Sequence, residues 1–158
     1  MKNSISIYFT FFILFSISLN FSTAQSSSEK IKSEITETLN LWNTVGKINN
    51  VDEVMSQFDS SENIILVGSD SGEIFRGKTQ IKGWLVQLLK HAGFSWEMNK
   101  IDIDYNDNSA WVFVEGKMVV KWDSGETHKT PYRFTGIMVK RNGVWKWRLF
   151  DGSIPRGE

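Results

Sequence analysis

Cysteine is missing from all 158 residues, which excludes disulfide staples, thiol nucleophiles and a lipid-modified cysteine. An excess of charge is missing too, with 18 Lys and Arg against 18 Asp and Glu. Nucleic-acid binding rewards a dense basic patch, so no nucleic-acid partner is expected. The sequence has no Gly-x-Ser-x-Gly elbow, Walker loop, dinucleotide fingerprint or His-Glu-x-x-His. His91 and His128 stand alone, one at an expected helix end and one in a loop, so no metal-ligand spacing exists. No metal and no cofactor are expected. Repeats, charge blocks and low-complexity linkers are absent as well.

What is present begins with Lys2, a mostly apolar run from Ile5 to Leu19, and Ser22-Thr23-Ala24. That order reads as a secretory signal peptide over residues 1–24, cut between Ala24 and Gln25. A membrane-spanning helix needs about 20 predominantly apolar residues. This run is shorter and interrupted by Ser and Thr, so no stable membrane anchor is expected after cleavage, and the location is secreted or periplasmic. Residues 25–158 have the length of one domain whose core alone must hold it.

Periodicity supplies the elements. Ser26 and Glu29 are spaced as a capping box, and Ile31, Ile35, Leu39, Trp42 and Val45 share a helix face. Asn50 and Glu53 cap a short second helix through Val54, Met55 and Phe58, ended by Asp59-Ser60-Ser61. Ile64 to Val67 reads as a strand, and Gly68 to Gly77 as a polar turn. Thr79 caps a third helix through Ile81, Trp84, Leu85, Leu88 and Ala92, closed by Gly93.

Beyond Gly93 the apolar alternation is even at Phe94, Trp96 and Met98, then odd at Ile101 and Ile103. The change of parity predicts a β-bulge near Asn99-Lys100. Ala110, Val112, Val114, Met118 and Val120 form one face of a long strand, and Trp111, Glu115, Lys117 and Lys121 the other. Asn142-Gly143 joins the last two strands in a hairpin. The expected order is α-α-β-α followed by a four-strand antiparallel meander, an α+β layout with a strongly bent sheet.

Val67-Gly68-Ser69-Asp70 with Glu73 and Phe75-Arg76-Gly77, Arg133-Phe134-Thr135-Gly136, and Trp145 with Ser153 and Pro155 carry a family resemblance. Over about residues 29–155 the chain resembles the SnoaL-like domain family of the nuclear transport factor 2-like superfamily. The resemblance implies three N-terminal helices in a strongly curved, mainly antiparallel sheet, a half-cone with a hollow. It also implies a homodimer, as relatives often form, and either ligand binding or cofactor-free chemistry. Relatives often carry a pocket-facing His where this chain has Asp151.

Candidate site residues follow from strand parity. Trp145, Trp147, Leu149 and Asp151 alternate on one face, so inward tryptophans would aim Asp151 at the cavity as an acid or base with a raised pKa. Otherwise it is a solvated strand-end carboxylate. Glu115 shares a face with Trp111 and Phe113, and equally with Lys117 and Lys121, which marks either a lining or an outer surface. Arg133 is a clamp for an acidic ligand or half of a surface ion pair. Ser69 reaches the rim or only shapes the turn, and Glu73 with Arg76 ties that turn to the next helix. Trp42, Trp84, Trp111 and Trp147 are core residues or pocket walls suited to a small apolar or aromatic molecule. The leading expectation is a pocket for such a ligand, self-association, or both. The alternative is an isomerase, cyclase or hydrolase using Asp151 or Glu115.

Overall fold

A computed structural model describes residues 27–44, 47 and 50–156. Residues 1–24, expected to be a signal peptide, Ser26 of the first cap and Val45 lie outside them. The chain divides into two compact units at Thr36, and the first carries helical residues 27–36. The second runs from Glu37 and holds every other described element.

In this second unit, α1 (37–44) buries Leu39 and Trp42 at helical spacing. Its Asn43 accepts the Trp96 amide at 2.7 Å, tying the helix to a strand 53 residues away. Helix α2 (Val51–Ser56) starts as expected, with the Asn50 side chain accepting from the amides of Asp52 and Glu53. Its short length suits one buried residue, Val54.

Strand β1 (Ile65–Val67) is followed by β2 (Ile74–Arg76), which lies inside the stretch expected to be a polar turn. Three residues are too few to show alternation, and the antiparallel pairing of Val67 with Ile74 supplies the stability that pattern alone did not reveal. Helix α3 (Gly77–Leu88) then starts two residues before Thr79, which is not its cap. Gly77, at φ 75°, makes the strand-to-helix corner, and its amide bonds to the Ile64 carbonyl at 2.8 Å. The helix ends at Leu88, so Ala92 and Gly93 already belong to the next strand.

The meander comprises β3 (Ala92–Asn106), β4 (Ser109–Trp122), β5 (Thr127–Arg141) and β6 (Val144–Ser153). With β1 parallel to β6, the curved sheet has six strands in the order β2-β1-β6-β5-β4-β3. The predicted bulge appears between Met98 and Lys100. Asn142 and Gly143, at φ 50° and 82°, form the predicted hairpin turn.

A second bulge was not foreseen. Ile137 pairs with Leu149 and Met138 with Trp147, leaving Arg148 as an extra residue in β6. Parity therefore reverses: Trp145 and Trp147 are buried before it, and Phe150 and Gly152 after it. Arg148 turns to Asp59, which is only 1% exposed, and Arg141 approaches the same carboxylate at 3.1 Å. Backbone bonds flank the cluster, from the Asp59 amide to the Trp147 carbonyl and from the Trp147 amide to the Gln57 carbonyl, both 2.8 Å.

Burial alone would raise the Asp59 pKa, but the hydrogen bonds from Arg141 and Arg148 and the charge of Arg141 hold it below the usual value. A depressed folded-state pKa stabilises fully above the unfolded value of about 3.9 and is lost as pH falls below it. Asp59→Asn is expected to cost about 2–3 kcal/mol near neutral pH, at the low end for a buried pair because both arginines reach water. Urea midpoints across pH 3 to 8 check this. The variant should show a shallower loss of stability on acidification, and an acid limb identical to the parent's would contradict the assignment.

Candidate functional site

The reversal at Arg148 decides which groups reach the interior. Phe150 faces inward with Leu66, its register partner on β1, while Asp151 faces outward beside Val67. Inward positions on β5 are Tyr132, Phe134, Gly136 and Met138, all buried. These strands, with β3, β4, α1, α2 and α3, line a partly open cavity of about 180 Å³.

Its walls are mostly apolar. Trp42 of α1 stacks on Trp96 of β3, with ring centres 5.7 Å apart and planes 16° from parallel. Trp84, Leu85 and Leu88 of α3 form another side, with Trp84 stacked on Phe75 at 5.0 Å. Val54, Leu66, Leu89, Phe94, Met118 and Phe150 complete the apolar lining. The indole N–H groups of Trp42 and Trp96 are buried with no acceptor among the described residues.

One end is polar. Ser69, Asp70 and Glu73 come from the β1–β2 connection, and Tyr132 meets them from β5. Glu73 folds back so that its carboxylate accepts the Asp70 amide at 3.1 Å. Gly68 permits this, since a Cβ there would lie 2.0 Å from a Glu73 oxygen. Gly152 plays the same part for Tyr132, whose hydroxyl would be 1.8 Å from a Cβ at that position. Burial first, and then the charges of Glu73, Asp151 and Asp70, push the Tyr132 phenol well above the ordinary tyrosine range, against the opposite effect of Ser69, which favours the ionised phenol. The phenol is therefore a hydrogen-bond donor at any physiological pH.

Among the residues singled out from sequence, Trp42, Ser69 and Trp84 line this cavity. Trp147 is fully buried but lies behind the wall, against Trp42, Phe134 and Phe150. Four others lie elsewhere. Asp151 is exposed because the bulge inverts its face, and Glu115, Trp111 and Arg133 occupy the outward positions of β4 and β5. Arg133 donates to the Ser153 hydroxyl at 3.2 Å. Neither Asp151 nor Glu115, the two acid–base candidates, lines the cavity. Glu73 bonds within its own turn rather than bridging to the helix. Tyr132 was overlooked, although its parity with Phe134 and Gly136 was a usable signal.

Among the described residues no cluster of three metal-ligating side chains occurs, and no helix is long and apolar enough to cross a membrane.

Residues 35–157 match the model of the SnoaL-like domain, and the chain belongs to that family. No curated protein sequence matches it. Solved structures with the same fold include a nuclear transport factor 2-like superfamily protein from Salmonella enterica serovar Typhimurium. It is 18% identical over 82% of this chain and 94% of its own, with a TM-score of 0.71. A provisionally named scytalone dehydratase from Novosphingobium aromaticivorans is 14% identical over 85% and 93%, at 0.70. A ketosteroid isomerase-like protein from Erwinia carotovora is 13% identical over 79% and 96%, at 0.64. At these identities the likeness is one of fold alone.

Gly152→Ala is expected to displace the rigid Tyr132 ring and destabilise the protein by about 1–3 kcal/mol, as overpacking does. Thermal or urea unfolding measures it. Tyr132→Phe combined with Gly152→Ala should recover part of the loss, because the clashing hydroxyl is gone. No recovery would mean that the clash is not with that oxygen.

Proposed function

We propose that this SnoaL-like protein binds one small, largely apolar, ring-containing molecule in the cavity, acting as an exported module after loss of residues 1–24. The observation that carries the reading is the combination of stacked indole walls with a single polar end. Such sites hold a ligand by its flat body and orient it by a few polar groups. A space of roughly 150 Å³ accepts a benzene ring, so the cavity suits one ring with a short substituent. In this reading the sheet curls as a half-cone around the ligand. The isomerase, cyclase or hydrolase alternative rested on Asp151 and Glu115, and both lie off the cavity.

A specific observation also favours self-association. Ile65, Leu149, Ile137 and Trp111 are register neighbours on four adjacent strands and form one apolar row on the outer face. Ile137 and Trp111 are 44% and 46% exposed, and a balanced count of charges adds no strong repulsion between copies. A second copy of the chain is the occupant proposed for this row, in a two-fold contact.

Native mass spectrometry of protein purified from its own host reads both proposals in one measurement. The expected result is a dimer of chains beginning at Gln25, with a retained small molecule or saturable uptake of an aromatic one. Leu88→Trp should fill the cavity and abolish uptake in a folded dimer. Trp111→Lys with Ile137→Lys should give monomers that still bind. Binding unaffected by Leu88→Trp would overturn the cavity reading, and a monomeric parent at high micromolar concentration would overturn the dimer.

A further inference from the structure

The charge of the cavity is one-sided. Its lining contains two carboxylates, Asp70 and Glu73, and no Lys, Arg or His. Asp151 adds a third negative charge close enough to act on the Tyr132 phenol. None of the three appears in an ion pair among the described residues. In a chain with equal numbers of basic and acidic residues, this end of the cavity is left uncompensated.

The walls match that charge. Trp42, Trp84 and Trp96 border the space, and aromatic rings attract cations through their quadrupoles. An anionic ligand would meet only negative charge and a single phenol donor. A cation would meet carboxylates at one end and aromatic side chains along its body.

We propose that the cavity selects a small organic ammonium compound, with its charged nitrogen toward Glu73 and Asp70 and an apolar ring among the indoles. This rests on the ligand-binding reading and adds the sign of the ligand's charge. A neutral ring molecule of the same shape binds through the walls alone. A carboxylate of the same shape binds more weakly than either.

Isothermal titration with 2-phenylethylamine, 2-phenylethanol and phenylacetate at pH 7 tests this, since the three share a ring and differ in charge. The amine is expected to bind on the order of tenfold tighter than the alcohol. Phenylacetate is expected to bind more weakly than either, and the amine's advantage should shrink as salt is raised. Glu73→Gln should reduce affinity for the amine more than for the alcohol. Asp70→Asn gives the same comparison without removing the carboxylate that holds the turn. Alcohol or phenylacetate binding as tightly as the amine would overturn the charge selection and leave the cavity reading intact. Saturable binding by none of the three would overturn both.

Discussion

One inserted residue organises this fold. Arg148 has no partner on β5, and its side chain reaches back to the buried carboxylate of Asp59. Without the insertion, the face of β6 that carries Trp145 and Trp147 would continue inward through Leu149 and Asp151. With it, Phe150 enters the core and Asp151 leaves it. A bulge of this kind bends and twists its strand. Here the bend coincides with the segment after α2, pinned by the Asp59 and Trp147 backbone bonds. The ion pair and the curvature are therefore one device. Arg141, at the far end of the adjoining hairpin strand, joins the same carboxylate and fixes that hairpin as well.

Without a disulfide, rigidity comes from rings. Trp42, Trp96, Phe134, Trp147 and Phe150 form a continuous cluster with centres 5.2 to 6.2 Å apart, mixing stacked and edge-on contacts. Large flat side chains fill a curved sheet with few degrees of freedom each, so little rotamer entropy is lost for much buried area. The same stiffness makes a space between them persistent. A cavity walled by Leu alone would collapse more readily than one propped by stacked indoles, because only partial relaxation is available around a rigid ring.

Much of this was legible in the sequence, for reasons that differ by element. Long strands announce themselves, and the parity change from Met98 to Ile101 located the first bulge because apolar residues flank it on both sides. The second bulge was hidden: Trp147, Leu149 and Phe150 are all apolar, so either face assignment satisfied the pattern. That ambiguity misplaced Asp151. Strand β2 was too short to alternate, and α3 starts at a glycine corner with no side-chain cap to signal it. Tyr132 was visible by parity with Phe134. Its company, Ser69 and Glu73, arrives through a turn held by Gly68, a contact no periodicity encodes.

The two faces of the sheet thus separate two properties that a neutral chain would otherwise mix. Outward positions carry paired charges, such as Lys129 with Glu97 and Lys100 with Asp102, alongside the apolar row through Trp111 and Ile137. Pairing there neutralises charge locally, and exposed pairs of this kind add little stability. At the cavity the opposite holds, since Asp70 and Glu73 have no cation beside them. Unpaired carboxylates are easily kept at a rim open to water, whereas deep in the indole cluster they would be strongly disfavoured. Their placement on the β1–β2 connection, rather than on a strand interior, lets the cavity keep its charge without a destabilising buried anion.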